Sequence, residues 1–312
     1  EKYMIADGQT LVLGGRNISD DFLSSEGHPR YNYDMDVLVY SDEPYTNQVA
    51  AALTDYFDLI WEHESKPTYT HIPFYRRNAT EVLQMRYKQD YDDFCIRYPE
   101  KLERCYWAER TFPIESYALM ANPIEATATA PELWDSLAAL MHHADERVWI
   151  QTPYLVLDHR MWNDLADLAN PSIDDQIITN SKAGGNNIVA SADMLFRKGT
   201  LIRTGSNLWT FQGPASMHTK TMLIDHDISV FGSFNFDMRS AYIDTEVMLM
   251  VQGESVNQLL EEHMRDMYAQ SLPMDHSVPV SEDAIQPKHI PLWKELAIDI
   301  LSPFISLVHF LV

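Results

Sequence analysis

The chain has 312 residues, 46% of them hydrophobic, with a formal net charge of -23. That length accommodates two ordinary domains with a sizeable core, and the excess of carboxylates disfavours extended contact with a nucleic-acid backbone, which depends on Lys and Arg displacing counterions. Cys95 and Cys105 fit neither a disulfide framework nor a zinc spacing and read as reduced thiols of a packed protein in a cytosolic setting.

The first segment alternates short β-rich runs, YMIAD, TLVLG and MDVLVY, with one amphipathic helical run from Thr46 to Trp61, the pattern of an α/β unit already under way at Glu1. From His63 to Phe112 the composition becomes polar and aromatic. The stretch EVLQMRYKQDYDDFCIRYPEKLERCYWAER predicts helices, in an insertion or inter-domain connection. At Ile114 a more regular order begins: strand IESYALM, helix PELWDSLAALMHHA, strand RVWIQTPYLV, helix HRMWNDLADLA, strand QIITNS, a helix near Ile188 to Arg197, and strands TLIRTG and LWTFQ. Strand TEVMLMV and helix VNQLLEEHMRDMYAQS close the unit, and this alternation predicts a largely parallel sheet covered on both faces. After the acidic, Pro-containing linker SVPVSEDAIQP, the tail from Pro287 is apolar but short for a membrane span and interrupted by Asp299 and Pro303. Leu292, Leu296, Ile300 and Phe304 recur at helical spacing with Trp293 near the start, which suits a helix lying in a membrane interface or one packed on its own domain. His63, His71, His142 and His143 match no metal spacing.

An internal repeat underlies this order. With Lys2 placed over Lys220, Met4 falls on Met222, Asp7 on Asp225, Val12 on Val230, Gly14 on Gly232 and Asn17 on Asn235 without a gap; YNYDMDVLVY then mirrors AYIDTEVMLMV. In that register the counterpart of His218 precedes Glu1, so the chain is expected to be a piece of a longer one, its first unit truncated and, without that residue, inactive.

His218 and Lys220 are two apart, a spacing that on a strand turns both side chains to one face, and Ser233 and Asn235 repeat it on the strand that follows. An ammonium, an amide, a hydroxyl and an imidazole on one face suit a phosphoryl group: Lys and Asn donate to its oxygens while His acts on phosphorus or the leaving oxygen. Lys2, Asn17 and the backbone of Gly14 and Gly15 would supply the same from the other repeat, with one anion held between the two. Asp225 lies at odd separation from both His218 and Lys220 and is placed at the turn, organising the hairpin, as Asp7 is in the other copy. Glu246 follows the second motif where Asp36 follows the first, and a carboxylate there could hold the Nδ1 proton of the motif histidine.

HTKTMLID with GSFN, and EKYMIAD with GGRN, resemble the paired His-x-Lys-x4-Asp motifs of the phospholipase D superfamily; GGRNISDDF, YDMDVLVY, the TNS at Thr179 to Ser181, GSFNFDMRS and LWKELAIDILSPF look most like bacterial cardiolipin synthases. The resemblance covers nearly the whole chain. It implies two pseudo-repeated α/β domains with mixed, largely parallel sheets: the first over residues 1–112 with its insertion, the second over 113–275, and a linker and apolar tail over 276–312. It further implies a phosphatidyltransferase that needs no metal or cofactor and makes cardiolipin from phosphatidylglycerol and a second phospholipid through a phosphohistidine. The first-repeat histidine would be the nucleophile and His218 the general acid and base. The other outcome within the superfamily is a phosphodiesterase or nuclease with water as acceptor. Phospholipids and a membrane surface contacted by the tail are the expected partners, without nucleic acid, at the cytoplasmic face of a bacterial cell membrane as a peripheral or monotopic protein. Two departures from the family pattern are Gly15, where Ser233 has a hydroxyl, and Ser191-Ala192-Asp193-Met194, where similar synthases tend to carry a His and a Tyr.

Overall fold

The computed structural model describes residues 2–23, 31–63, 77–124, 129–275, 285–307 and 309. His71 and most of the linker SVPVSEDAIQP lie outside them. Near the start, β1 (Tyr3–Ala6), β2 (Thr10–Gly14), α1 (Asp20–Leu23), β3 (Asn32–Tyr33) and β4 (Asp36–Tyr40) follow one another, and β1, β2 and β4 form a sheet in the order β1-β2-β4. The turn after β1 places Asp7 at φ 53, a left-handed conformation that Asp tolerates better than most residues.

The chain divides into two compact units. One comprises residues 5–11 and 38–111 and contains α2 (Gln48–Glu62), α3 (Arg77–Arg97), a short helical segment at Pro99–Leu102 and α4 (Arg104–Ala108). Asn47 starts α2 by accepting from the Ala50 amide, which satisfies one of the free N–H groups of the first turn, and Val49, Ala50 and Leu53 form its buried face.

The other unit comprises residues 1–4, 12–37 and 112–312. It is built on β5 (Ser116–Ala121), α5 (Glu132–His142), β6 (Arg147–Gln151), β7 (Leu155–Val156), α6 (His159–Asp167), β8 (Asp174–Asn180), α7 (Ile188–Arg203), β9 (Leu208–Phe211), β10 (Ser216–Met217), β11 (Thr221–Ile224), β12 (Ile228–Gly232), β13 (Phe236–Asp237), α8 (Met238–Tyr242), β14 (Val247–Gln252), α9 (Glu254–Tyr268), β15 (Ser271–Pro273) and α10 (Leu292–Leu301). Eight of these strands make one sheet in the order β15-β9-β8-β6-β11-β12-β14-β5. The α/β class is as expected, but the strand directions are not: parallel pairing is confined to β6–β8 and β8–β9, and every other neighbour in this sheet is antiparallel. For β11 and β12 the physical reason is their short connection, which permits only a hairpin, whereas a parallel crossover needs a dozen residues or more.

Trp134, Leu137 and Met141 of α5 and Met161 and Leu165 of α6 pack in one core with Val148 and Ile150 of β6 and Met222 of β11. Asp158 and Asn187 cap α6 and α7 through their side-chain oxygens. Two further expectations are corrected. TLIRTG is not a strand: α7 continues to Arg203, with Leu201 in the core on the helical repeat that began at Ala190. RVWIQTPYLV is split between β6 and β7, because Pro153 lacks the N–H that an unbroken central strand requires.

At the C-terminus α10 packs against α7 through Ile298, which is fully buried. Lys294 is buried as well and donates to the carbonyls of Ala183 and Gly185 at 2.8 and 2.6 Å, while Lys182 pairs with Asp299 at 2.6 Å. Leu292, Trp293, Leu296, Ile300 and Phe304 are exposed, each by half or more. Among the described residues no helix is long and apolar enough to cross a membrane.

Candidate active site

The approach to His218 is fixed before the residue is reached. Ser216 and Met217 of β10 pair in parallel with Asn32 and Tyr33 of β3. Asn180, at the end of β8, accepts from the Met217 amide at 2.8 Å and donates to its carbonyl at 2.6 Å, holding both backbone groups of that residue. The His218 amide then donates to the Tyr33 carbonyl at 2.7 Å. His218 and Lys220 lie in the link between β10 and β11, and Ser233 and Asn235 in the link between β12 and β13, not inside strands as expected. Alternation nevertheless survives: the Lys220 Nζ stands 2.8 Å from His218 Nδ1 and 3.2 Å from Nε2, and also donates to the His218 carbonyl.

The carboxylate on the imidazole is Asp34. Its Oδ2 is 2.7 Å from His218 Nδ1, and the Asp34 side chain is fully buried. This corrects the assignment of that place to Glu246, and it crosses the repeats: the acid of the first motif serves the histidine of the second. Asp36, the residue assigned to orient the first-repeat histidine, instead pairs with the Arg16 guanidinium, which also donates to the carbonyls of Asp34 at 2.6 Å and Phe22 at 2.7 Å. Arg16 therefore shapes the segment that presents Asp34, while Phe22 meets the His218 ring edge-on at 4.9 Å between centroids. Glu246, also buried, accepts from the Ser233 hydroxyl.

Both repeats require glycine where the next strand passes. A Cβ on Gly14 would strike Asp36 and the Met35 carbonyl, and one on Gly232 would strike the Val247 carbonyl and Met248. At Gly15 a Cβ would come within 2.8 Å of Asp34, 3.0 Å of the Lys220 stem and 3.2 Å of the His218 carbonyl. The missing hydroxyl at this position leaves room for the cluster itself.

Burial sets the electrostatics. The His218 pKa is lowered to about 4, first by desolvation and then by the charge on Lys220, with Asp34 opposing and Lys2 adding to the fall. Desolvation lowers Lys220 to about 7; Asp34 opposes the fall, Lys2 deepens it, and Glu246 and Asp237 lie within electrostatic reach. Burial raises Glu246, and the Lys2 charge pulls it back. Two lysines, one from each repeat, are thus close enough to the same imidazole to disfavour its protonation, and an arriving anion would relieve all three groups at once.

Asp225 stands apart from this cluster. It occupies the β11–β12 turn at φ 48 and its carboxylate accepts from the amides of Asp145, Glu146 and Arg147 at 2.8 to 3.2 Å. Asp7 takes the same conformation in the other copy, and Asn17 is exposed. Asp34, Asn180, Arg16, Asp237 and Tyr154 were not singled out from the sequence. YDMD offers two carboxylates two residues apart, and the repeat register selects the second, Asp36, rather than Asp34.

A cardiolipin synthase family model with a phospholipase D-like domain matches residues 137–268. The cardiolipin synthase A of Pseudomonas putida (strain GB-1) is 26% identical over 86% of this chain and 47% of its own length, and the cardiolipin synthase C of Escherichia coli K12 is 25% identical over 83% of this chain and 59% of its own. The chain spans about half the length of these curated relatives. The crystal structure of a phosphatidylserine synthase from Haemophilus influenzae superposes with a TM-score of 0.64 at 15% identity, over 98% of this chain and 69% of that one, which shows a common fold.

Proposed function

We propose, from the premise that the chain belongs to the phospholipase D superfamily as a cardiolipin synthase-like protein, that it transfers a phosphatidyl group between phospholipids, making cardiolipin from phosphatidylglycerol and a second phospholipid. The observation that carries this is the convergence of His218, Lys220, Lys2 and Asp34. The imidazole is neutral at pH 7 and the Lys220 ammonium is poorly held. A phosphodiester compensates the lysines, lifts the His218 pKa and turns it into an acid for the leaving alcohol. Lys2, Lys220 and Asn235 hold the phosphoryl oxygens. Asp34 fixes the imidazole, and Glu246 holds the Ser233 hydroxyl. Asp36 acts through Arg16, and Asp7 and Asp225 keep the hairpins in shape.

In the first half-reaction a second imidazole, which the resemblance to the superfamily implies, forms a P–N bond as the P–O bond to glycerol breaks, and the leaving oxygen takes a proton from His218. In the second half, neutral His218 removes the proton of an acceptor hydroxyl, whose oxygen attacks phosphorus as the P–N bond breaks. The exposed row of Leu292, Trp293, Leu296, Ile300 and Phe304 supports docking of α10 on the lipid surface that holds both substrates, as a peripheral or monotopic protein at the cytoplasmic face of the membrane.

The test incubates full-length protein with phosphatidylglycerol vesicles and, separately, with single-stranded DNA. Cardiolipin and glycerol are expected from the vesicles, with formation lost in Lys220→Ala. Cleavage of DNA with no phospholipid turnover would replace this function with a nuclease, and an active Lys220→Ala protein would remove the site.

A further inference from the structure

The loop between β8 and α7, residues 181–187, carries no group of the reaction described above, yet it lies between the C-terminal helix and the catalytic cluster. It leaves β8 at Asn180 and closes at once: the amides of Gly184 and Gly185 both donate to the Ser181 carbonyl at 3.0 Å. The turn rests on the Asn180 side chain, so that a Cβ on Gly184 would come within 3.5 Å of Asn180 Oδ1 and one on Gly185 within 3.6 Å of Asn180 Cβ.

Two routes run from this loop to His218. In the first, Asn180 holds the amide and the carbonyl of Met217, the residue ahead of the histidine. In the second, Asn186 Nδ2 donates to Asn32 Oδ1 at 2.5 Å, and Asn32 begins β3, whose next residue, Tyr33, accepts the His218 amide through its carbonyl and leads into Asp34. The backbone of the histidine and the carboxylate on its ring therefore both depend on the same short loop.

Lys294 of α10 holds this loop from the other side, through the carbonyls of Ala183 and Gly185. Lys182 joins the same two elements through Asp299 and Glu295 at 2.6 and 3.6 Å, but those side chains are partly exposed, where ion pairs are worth little. Lys294 is only 8% exposed and, among the described residues, pairs with no carboxylate. Burial lowers its pKa, and Lys288 adds to the fall. A buried ammonium without a counter-ion costs stability. What this one does is fix two carbonyls that an apolar side chain would release.

We propose that Lys294 is a positioning residue for phosphatidyl transfer: by fixing the 181–187 loop it makes the alignment of His218 and Asp34 depend on α10 being seated, so that the helix proposed to dock on lipid also sets the catalytic geometry. This rests on the phosphatidyl transfer proposed above and adds how its site is held.

The experiment measures glycerol release by full-length protein from two donors: phosphatidylglycerol in vesicles, and dihexanoyl phosphatidylglycerol dissolved below its micelle concentration, which needs no docking. Lys294→Met keeps the stem and removes the ammonium. Its kcat is expected to fall about ten-fold on both donors, with KM within about two-fold and vesicle sedimentation unchanged, because the lysines that hold the anion and the exposed face of α10 are untouched. Asn186→Ala breaks the link to Asn32 from an exposed position, and should lower kcat in the same way should Lys294→Met fail to fold. An unchanged kcat in a folded variant, or a loss confined to vesicles, overturns the positioning role while leaving phosphatidyl transfer intact. Wild type that releases glycerol from neither donor overturns the transfer reaction and the positioning role together.

Discussion

Lys220 is only 2% exposed and stands at the centre of the cluster, where desolvation works against its charge. A side chain held in this way costs stability that its chemistry requires. Lys220→Met keeps the stem and removes the ammonium; full-length protein carrying it is predicted to lose phospholipid turnover and to gain about 1 to 2 kcal/mol of stability, read as a shift in the denaturant midpoint. A loss of both activity and stability would mean that the ammonium is structural. At this scale the sequence made Lys2 and Lys220 visible because the repeat duplicates the lysine, and His218 visible because it stands two residues before the second copy. It hid Asp34 because a repeat register compares each residue with its own counterpart, whereas the hydrogen bond to His218 runs from one repeat to the other. Tyr154 and Asp237 were hidden for a related reason: each owes its properties to burial, which no spacing reports.

Among the elements, the β11–β12 hairpin and the β6 strand beside it are tied by one side chain. Asp225 gathers three backbone amides from the turn that leads into β6, in addition to adopting its left-handed conformation. Asp225→Ala leaves those donors without an acceptor and adds a Cβ conformation that Ala tolerates less well, at a predicted cost of about 2 kcal/mol in chemical denaturation. Asp225→Asn, which retains an acceptor and tolerates the turn, should recover a large part of that loss. The C-terminal helix makes the second prediction at this scale. One face of α10 is committed to its own unit, Ile298 by burial and Lys294 through the carbonyls of Ala183 and Gly185 ahead of α7, and the opposite face presents Trp293 and Leu296. Changing both to Asp should weaken sedimentation of full-length protein with phosphatidylglycerol vesicles by at least ten-fold while leaving its thermal midpoint within a few degrees, since neither residue is in the core. Unaltered sedimentation would assign the membrane contact to another part of the protein. Strand and helix identity was largely legible from hydrophobic period. The exception, TLIRTG, has β-branched residues at strand-like positions, yet Leu201 falls on the buried stripe of α7 and tertiary packing carries the helix through.

For the molecule as a whole, the partly buried, desolvated imidazole of His218 links protonation to folding. His218 titrates at about 4 when folded, against 6.5 for an unperturbed histidine. Its contribution to stability is therefore complete above pH 6.5 and is lost as pH falls from 6.5 towards 4, where the unfolded chain binds a proton that the folded one resists. Relative to His218→Gln, the native protein is predicted to lose up to about 3 kcal/mol across that window; parallel pH profiles would place His218 in a solvated setting. The chain-wide features that could be read beforehand were the repeat and the α/β class. The direction of the strands could not be read, because alternation of helix and strand does not say on which side a hairpin reverses the chain, and β11 and β12 reverse it in the middle of the sheet.

The central claim is that Lys2 and Lys220, from opposite repeats, serve one anion. Calorimetric titration of full-length protein with inorganic phosphate tests it in four forms: native, Lys2→Ala, Lys220→Ala and the double variant. Each single change is predicted to weaken binding about ten-fold, with the double variant departing clearly from the product of the two, as groups on a shared ligand do. Binding unchanged by either substitution, or losses that simply multiply, would mean that the two lysines do not share a phosphorus centre.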